Sequence, residues 1–281
     1  MIALLRTEFY KAARRTRTLV IALLLVGLPT LIVFAIKSRG NRPQNDDGQG
    51  LFHLAQQSGL LVPAAVLSVM SGFLLVVIAG TFAGDSVAGD ASWGNLRYLL
   101  MRPVPRGRLL VAKAIVAAAL IWGATILVSL AALIGGVVVF GSKSLTVPGL
   151  GVFASGNLSV GFHLSQGTLL LRLAAGTAYV AFGFTALLAL GTLFSILTDT
   201  AASAIGATVG VYIVSEILDG ITQLGRIRYF FPTHYLNAWE TMFTDNRYSH
   251  DMITGIIVQL AYLALFGTIA VVWFRRKDIR S

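Results

Sequence analysis

The chain has 281 residues, of which 56% are hydrophobic and 12% charged, with a mean hydropathy of +0.78 and a formal net charge of +10. Soluble globular domains carry about 25% charged residues, so the composition excludes an ordinary soluble domain and predicts a chain embedded in a membrane. Cysteine is absent, which excludes a disulfide framework, thiol catalysis and thiolate metal ligation.

The first element is the basic segment "IALLRTEFYKAARRTR". Projected at about 100° per residue, Ile2, Leu5, Phe9, Ala12, Ala13 and Thr16 gather on one face, with Lys11, Arg14 and Arg15 opposite. That pattern predicts an amphipathic helix lying along the inner membrane surface. The plainer alternative is a basic flank that only sets topology. Glu8 is the one acid here, and Lys11 stands at the i+3 spacing of an intrahelical pair.

Long uncharged windows follow. Residues 18–36, 60–83, 114–142, 173–198 and 252–274 each supply the roughly 18–20 residues that carry a helix across a hydrocarbon core. Window 200–215 is cut short by Glu216 and reads as a further span with a polar outer end. The expectation is one transmembrane domain of six helices over residues 1–281. The first window lacks a small-residue cleavage site and follows seventeen residues of basic character, so it reads as a span and not as a cleaved signal.

The loop 84–113 between the second and third spans contains "GDASWGNLRYLLMRPVPRGRLLVAK". Asp90 or Ser92 has the chemistry to cap a helix start. Leu96, Leu99 and Leu100 make an i, i+3, i+4 face, and Pro103 stops the helix at the residue before it. Arg106, Arg108 and Lys113 then precede the third span. A helix this short is marginal alone in water, so its leucine face needs lipid or a protein partner.

Window 144–171 is uncharged too, but it holds Pro148 and five glycines and reads as an external loop, partly re-entrant. Asp199, in the tight turn before window 200–215, has the chemistry of an N-cap. Gly206 and Gly210 allow close helix packing. Glu216 and Asp219 stand one turn apart at the outer end of the fifth span. Such acids either reach the interface or form an outer gate. The stretch "DGITQLGRIRYFFPTHYLNAWETMFTDNRYSHD" carries Tyr229, Phe230, Phe231, Tyr235, Trp239 and Phe243 around Pro232. It predicts two short interfacial or re-entrant helices meeting at the proline, acting as an aromatic belt or a lid over an exit path.

Orientation follows from Lys and Arg. Six spans place fourteen of the twenty-two basic residues on the side of both termini, with a balance of +9 there against +1 on the other side. Both termini are therefore expected in the cytoplasm. The basic residues flank spans and come with no nucleic-acid-binding signature, so lipid and topology account for them and nucleic acid is not an expected partner. No catalytic or metal site is predicted, because His53, His163, His234 and His250 lack ligand spacing. The nearest approach to a phosphate-binding loop, "GVVVFGSKS" from Gly136, has Gly-Ser-Lys where Gly-Lys-Ser/Thr is needed.

Asp90, Gly94, Leu96, Arg97, Leu99, Leu100, Pro103 and Arg106, followed by Lys113, form a pattern that resembles the cytoplasmic loop of ABC type 2 permeases, the membrane subunits of ATP-binding-cassette exporters. The start "EFYKAARRTRT" resembles that family's Glu-x-x-Lys-x-x-Arg entry helix, here Glu8, Lys11 and Arg14. "FPTHYLNAW" and the basic ending "FRRKDIRS" are similar to its external element and its finish. Asp90 stands where the family more often has Glu, and Asn95 where it commonly has Thr. The resemblance implies a coupling helix on the loop and an ATP-binding-cassette ATPase as a separate partner in two copies. ATP and Mg would bind there, and no cofactor in this chain. It also implies a second permease copy, or a homologous permease, in a bacterial cell membrane. The expected activity is export of an amphipathic drug, antibiotic, peptide or lipid. A non-transporting anchor or sensor and an ion-coupled carrier are the alternatives. Scarce intramembrane carboxylates weigh against the carrier.

Overall fold

A computed structural model describes residues 2–39, 55, 58–92, 105–142, 144–147, 162–244 and 250–276. Helix α1 (Ile2–Ala13) breaks at Arg14 and Arg15 and gives way to α2 (Thr16–Arg39). Helices α3 (Val62–Gly72) and α4 (Leu74–Gly84) meet at Phe73 with a bend of 55°. The short α5 (Ala88–Ser92) and the long α6 (Arg106–Phe140) come next. Strands β1 (Leu145–Val147) and β2 (Phe162–Leu164) pair antiparallel, with Leu145 opposite Leu164. Helices α7 (Gln166–Leu197) and α8 (Ala201–Gly220) lead to 3-10 segments Thr222–Phe230 and Ala238–Glu240, then α9 (Thr241–Thr244) and α10 (His250–Arg276).

Among the described residues five helices are long and apolar enough to cross a membrane, in α2, α6, α7, α8 and α10, and the bent pair α3–α4 passes the same test when its two halves are taken as one span. The chain is a multi-pass membrane protein built from helices, with one small ladder beside them. Helix α7 is the hub: 78% of its most apolar window is buried, against 17 to 33% for the other straight spans. It packs against α4, α6, α8 and α10. The outer helices leave Leu23, Phe34, Val138 and Ile257 exposed, as lipid-facing residues should be.

The bend gives the second span two sets of neighbours. Helix α3 packs chiefly on α6, whereas α4 packs chiefly on α7 and α8 and less extensively on α6. Breaking a helix frees backbone groups that lipid cannot satisfy, but the Phe73 carbonyl still accepts from Val77 N at 3.0 Å. The start of α3 is locked to α6 by two glycines in backbone contact. A Cβ on Gly59 would lie 2.2 Å from the Gly136 carbonyl oxygen, and one on Gly136 would lie 2.4 Å from that of Gly59.

Several sequence boundaries shift. Helix α6 starts at Arg106, so Arg108 and Lys113 lie on it and do not precede it. Helix α7 starts at Gln166, capped by Ser165, whose hydroxyl accepts from Thr168 N. The window 144–171 is therefore not one loop: its ends are a strand ladder and a helix start, and residues 148–161 lie outside the described set. Glu216 and Asp219 sit on the last turns of α8. In each case counting stopped at a charge. A charged residue that finds a partner does not end a helix: Arg172 donates to the Met242 carbonyl, and Lys113 meets two acids.

Candidate functional site

The basic segments and the loop after the second span converge at one end of the bundle. Lys113, one and a half to two turns into α6, is buried, with 6% of its side chain exposed. A buried ammonium is costly unless paired. It donates to Asp90 Oδ2 and, at 3.1 Å, to Glu8 Oε2. Asp90, at 2% exposure, accepts also from Lys11 Nζ at 2.7 Å and lies 3.6 Å from Arg15 Nη2. Asp85 takes Arg15 and, at 2.6 Å, Arg17. Three carboxylates and four cations thus tie α1, α2, α5 and α6 into one network. Burial pushes the Asp90 carboxyl up, but Lys113 and Lys11 outweigh it and hold Asp90 below its ordinary value.

The turn that carries Asp85 and Asp90 is itself clamped. Ser195, near the end of α7, accepts from Val87 N at 3.0 Å and Ala88 N at 2.8 Å, and donates to the Gly84 carbonyl at 2.6 Å. Gly89 leaves room for the Asp85 carboxylate, which a Cβ there would approach to 2.3 Å. The small cleft among these charges encloses about 50 Å³, room for water and not for cargo.

This geometry revises the sequence reading at several residues. Asp90 lies within α5 and serves as the hub of the ion pairs; the helix it is expected to start, over residues 93–102, lies outside the described residues. Glu8 pairs with Lys113, 105 residues away, and not with Lys11, which goes to Asp90. The buried Lys113 needs acids around it, and Lys11, though 41% exposed, sends its ammonium to the buried Asp90. Arg14 stays out of the network and lies over the Tyr10 ring at 4.5 Å. Helix α1 turns Leu4, Leu5, Glu8 and Ala12 toward the bundle and leaves Ile2 and Phe9 exposed. The apolar face read from the sequence is thus divided between protein and surroundings. Thr200, not Asp199, caps α8, accepting from Ser203 N. Gly94, Leu96, Arg97, Leu99, Leu100 and Pro103 lie outside the described residues, as does the side chain of Arg106.

At the opposite end, Asp219 receives His234 Nδ1 at 2.6 Å and lies 3.6 Å from Arg228 Nε, which fastens α8 to the segment after it. Glu216 is exposed and stands apart from these contacts. The two acids are one turn apart but do not act on a common partner among the described residues. The aromatic segment is split as well: Tyr229 and Phe230 are exposed, while Tyr235, Trp239 and Phe243 are core. Instead of two helices meeting at Pro232, a 3-10 segment precedes it and turns follow it. Among the described residues no group of acids, histidines or cysteines is placed to hold a metal ion.

Sequence reasoning found Asp90 and Lys113 through the motif but missed Asp85, Gly89 and Ser195. A serine in an apolar span carries no signal of what it clamps. A family model described as ABC-2 family transporter protein matches residues 2–279. None of the curated proteins searched matches the chain.

Proposed function

Because the chain belongs to the ABC-2 family of transporter proteins, we propose that it is the permease subunit of an exporter of amphipathic molecules, driven by ATP hydrolysis on a separate nucleotide-binding subunit. The family supplies the transmembrane component of such transporters, which is not itself catalytic. The observation that carries the reading further is the charge network. It joins the entry helix α1, the start of the loop at Asp90 and the base of α6, so that force applied to the loop is delivered to three elements together. Two ATPase subunits, holding ATP and Mg, would press on the loop residues Leu96, Arg97, Leu99 and Leu100. A second permease copy, or a homologous permease, would complete the path. A predominance of basic residues at the end that carries α1 and the close of α10 supports a cytoplasmic location for that end, in a bacterial cell membrane.

The test is reconstitution with the cognate ATPase. Leu99→Asp combined with Leu100→Asp is expected to leave the protein inserted but abolish co-purification of the ATPase. Unchanged co-purification would sink the coupling assignment. Amphiphile-stimulated ATP hydrolysis by the intact complex separates an exporter from a mere anchor.

A further inference from the structure

Helices α6 and α10 run antiparallel over α7, and at the end that carries the charge network they meet around Leu110, Ala270 and Phe274. Toward the middle of the membrane they part, and a cavity of about 350 Å³ opens between them, floored by Leu188 and Thr192 of α7. Val111 and Ile115 line it with 40% and 45% of their surfaces exposed, so it faces the lipid. Leu263, Gly267 and Val271 carry the hollow on to the outer face of α10, where it continues past Thr268 to Arg275. From Leu263 to Arg275 the groove descends about 18 Å at the helical rise of about 1.5 Å per residue. That is close to the half-thickness of a hydrocarbon core of about 30 Å. The hydroxyls of Thr185, Thr192 and Thr268 each donate to a carbonyl one turn back in their own helix, so the wall needs no polar partner.

The mouth of the groove is basic. Arg275 lines it, and its guanidinium lies over Gly107 in the first turn of α6, where a Cβ would come within 3.4 Å of Nε and Nη2. Arg108 precedes Val111 and Ile115 at i+3 and i+7 spacing, which puts it on the same face of α6 as these lining residues. The two arginines therefore flank the same end of the groove, one from each wall. Both are exposed, and neither pairs with a carboxylate among the described residues. Glu8, Asp85 and Asp90, the acids of the charge network, are taken by other cations.

We propose that this groove binds an anionic phospholipid from the leaflet on the side of the charge network: an acyl chain lies between α6 and α10, and the phosphate sits between Arg275 and Arg108. The occupant follows from charge complementarity. Guanidinium groups hold a phosphate through charge-assisted hydrogen bonds in a fork that matches its oxygens, and the apolar wall below takes hydrocarbon and nothing polar. A zwitterionic lipid carries the same phosphate but brings a cation of its own, which two unpaired arginines repel. Gly107 gives the Arg275 guanidinium its place beside α6, and Gly267 leaves the width for the chain. The site requires only that the protein spans a membrane, and not that it transports.

The experiment uses the purified full chain in phosphatidylcholine nanodiscs carrying a trace of phosphatidylglycerol with a photoreactive acyl chain or, separately, of phosphatidylcholine with the same chain. Phosphatidylglycerol is expected to label α6, α7 and α10 around the groove about fivefold more than phosphatidylcholine does, and added salt should narrow the difference. Arg275→Gln and Arg108→Gln should each lower that preference about two- to fivefold, whereas Arg275→Lys keeps most of it. Both side chains are exposed and unpaired, so the unfolding midpoint should not move. Gly267→Leu tests the groove apart from the charge. A Cβ there meets nothing within 4 Å, so the new side chain fills the hollow without a clash and should lower labelling by both lipids. Equal labelling by the two lipids, or a preference indifferent to both arginines, would overturn the site. Displacement of the lipid by excess glycerol phosphate would overturn it as well, since the head alone would then suffice. Groove residues found cross-linked to a second copy of the chain in place of lipid would assign the face to an interface and defeat the lipid site.

Discussion

Lys113 shows how little a single residue's context can be guessed from its neighbours in the chain. It is flanked by alanines in an apolar run, yet two other elements, α1 and α5, bring it two carboxylates. Lys113→Met is expected to cost about 3–5 kcal/mol, because it leaves buried acids facing each other without their central cation; thermal unfolding in nanodiscs measures it. The pH response follows from Asp90, whose folded-state value lies below that of an unfolded carboxyl. Its stabilisation is full above the unfolded value of about 4 and is lost as pH falls through the lower folded value. The melting gap between the wild type and Asp90→Asn should thus be constant from pH 8 to 5 and close at more acid pH. A gap that persists in acid would show that the contribution is not ionic. Ser195→Ala strands two buried N–H groups and should cost about 1–3 kcal/mol for each left unmet, with the same readout. Asp90 and Lys113 were legible because a motif marks them. Glu8 was marked by the entry-helix motif too, but its partner was not legible, since the sequence places Lys11 nearer and the pairing with Lys113 exists only in the fold. Ser195 and Gly89 left no trace, because their roles depend on a turn that no local pattern describes.

At the scale of elements, the bend in the second span is the feature that hydropathy could not reveal. Residues 60–83 are evenly apolar, and Gly72 is the only break former near Phe73. The two halves differ in their main packing partners, which an even apolar run cannot show. Glycine substitutions test how space decides the outcome. A Cβ at Gly72 meets nothing within 4 Å, so Gly72→Ala should stabilise by about 0.5–1 kcal/mol through helix propensity. The same change at Gly136 drives a Cβ into the Gly59 carbonyl and the Val62 side chain and should destabilise by about 1–3 kcal/mol. Unfolding midpoints of opposite sign are the expected result. The elements that were legible, α2, α6, α7, α8 and α10, are those whose apolar runs approach or exceed the roughly 30 Å of a bilayer core. Their ends were misread because a charge with a partner looks, in one dimension, like a charge facing water.

For the whole molecule, the absence of cysteine makes topology directly testable. A thiol at Ser142, beyond α6, is expected to react with an impermeant maleimide on intact cells, whereas one at Ser92, beside the charge network, should react only after permeabilisation; the reverse pattern would invert the orientation inferred from the basic residues. Five of the six expected spans were readable because bilayer thickness acts on the chain as a whole, whereas the bent pair α3–α4 crosses as a sixth only if its halves are taken together. The charge network also sets an order of assembly. Glu8 emerges 105 residues before the lysine it needs, which at about 5–20 residues per second is a wait of roughly 5 to 20 s. For most of that interval, until Asp90 emerges to meet Lys11, the charged face of α1 has only water and lipid head groups as partners. The entry helix can therefore dock only once the third span has been made, so the beginning of the chain is completed by its middle.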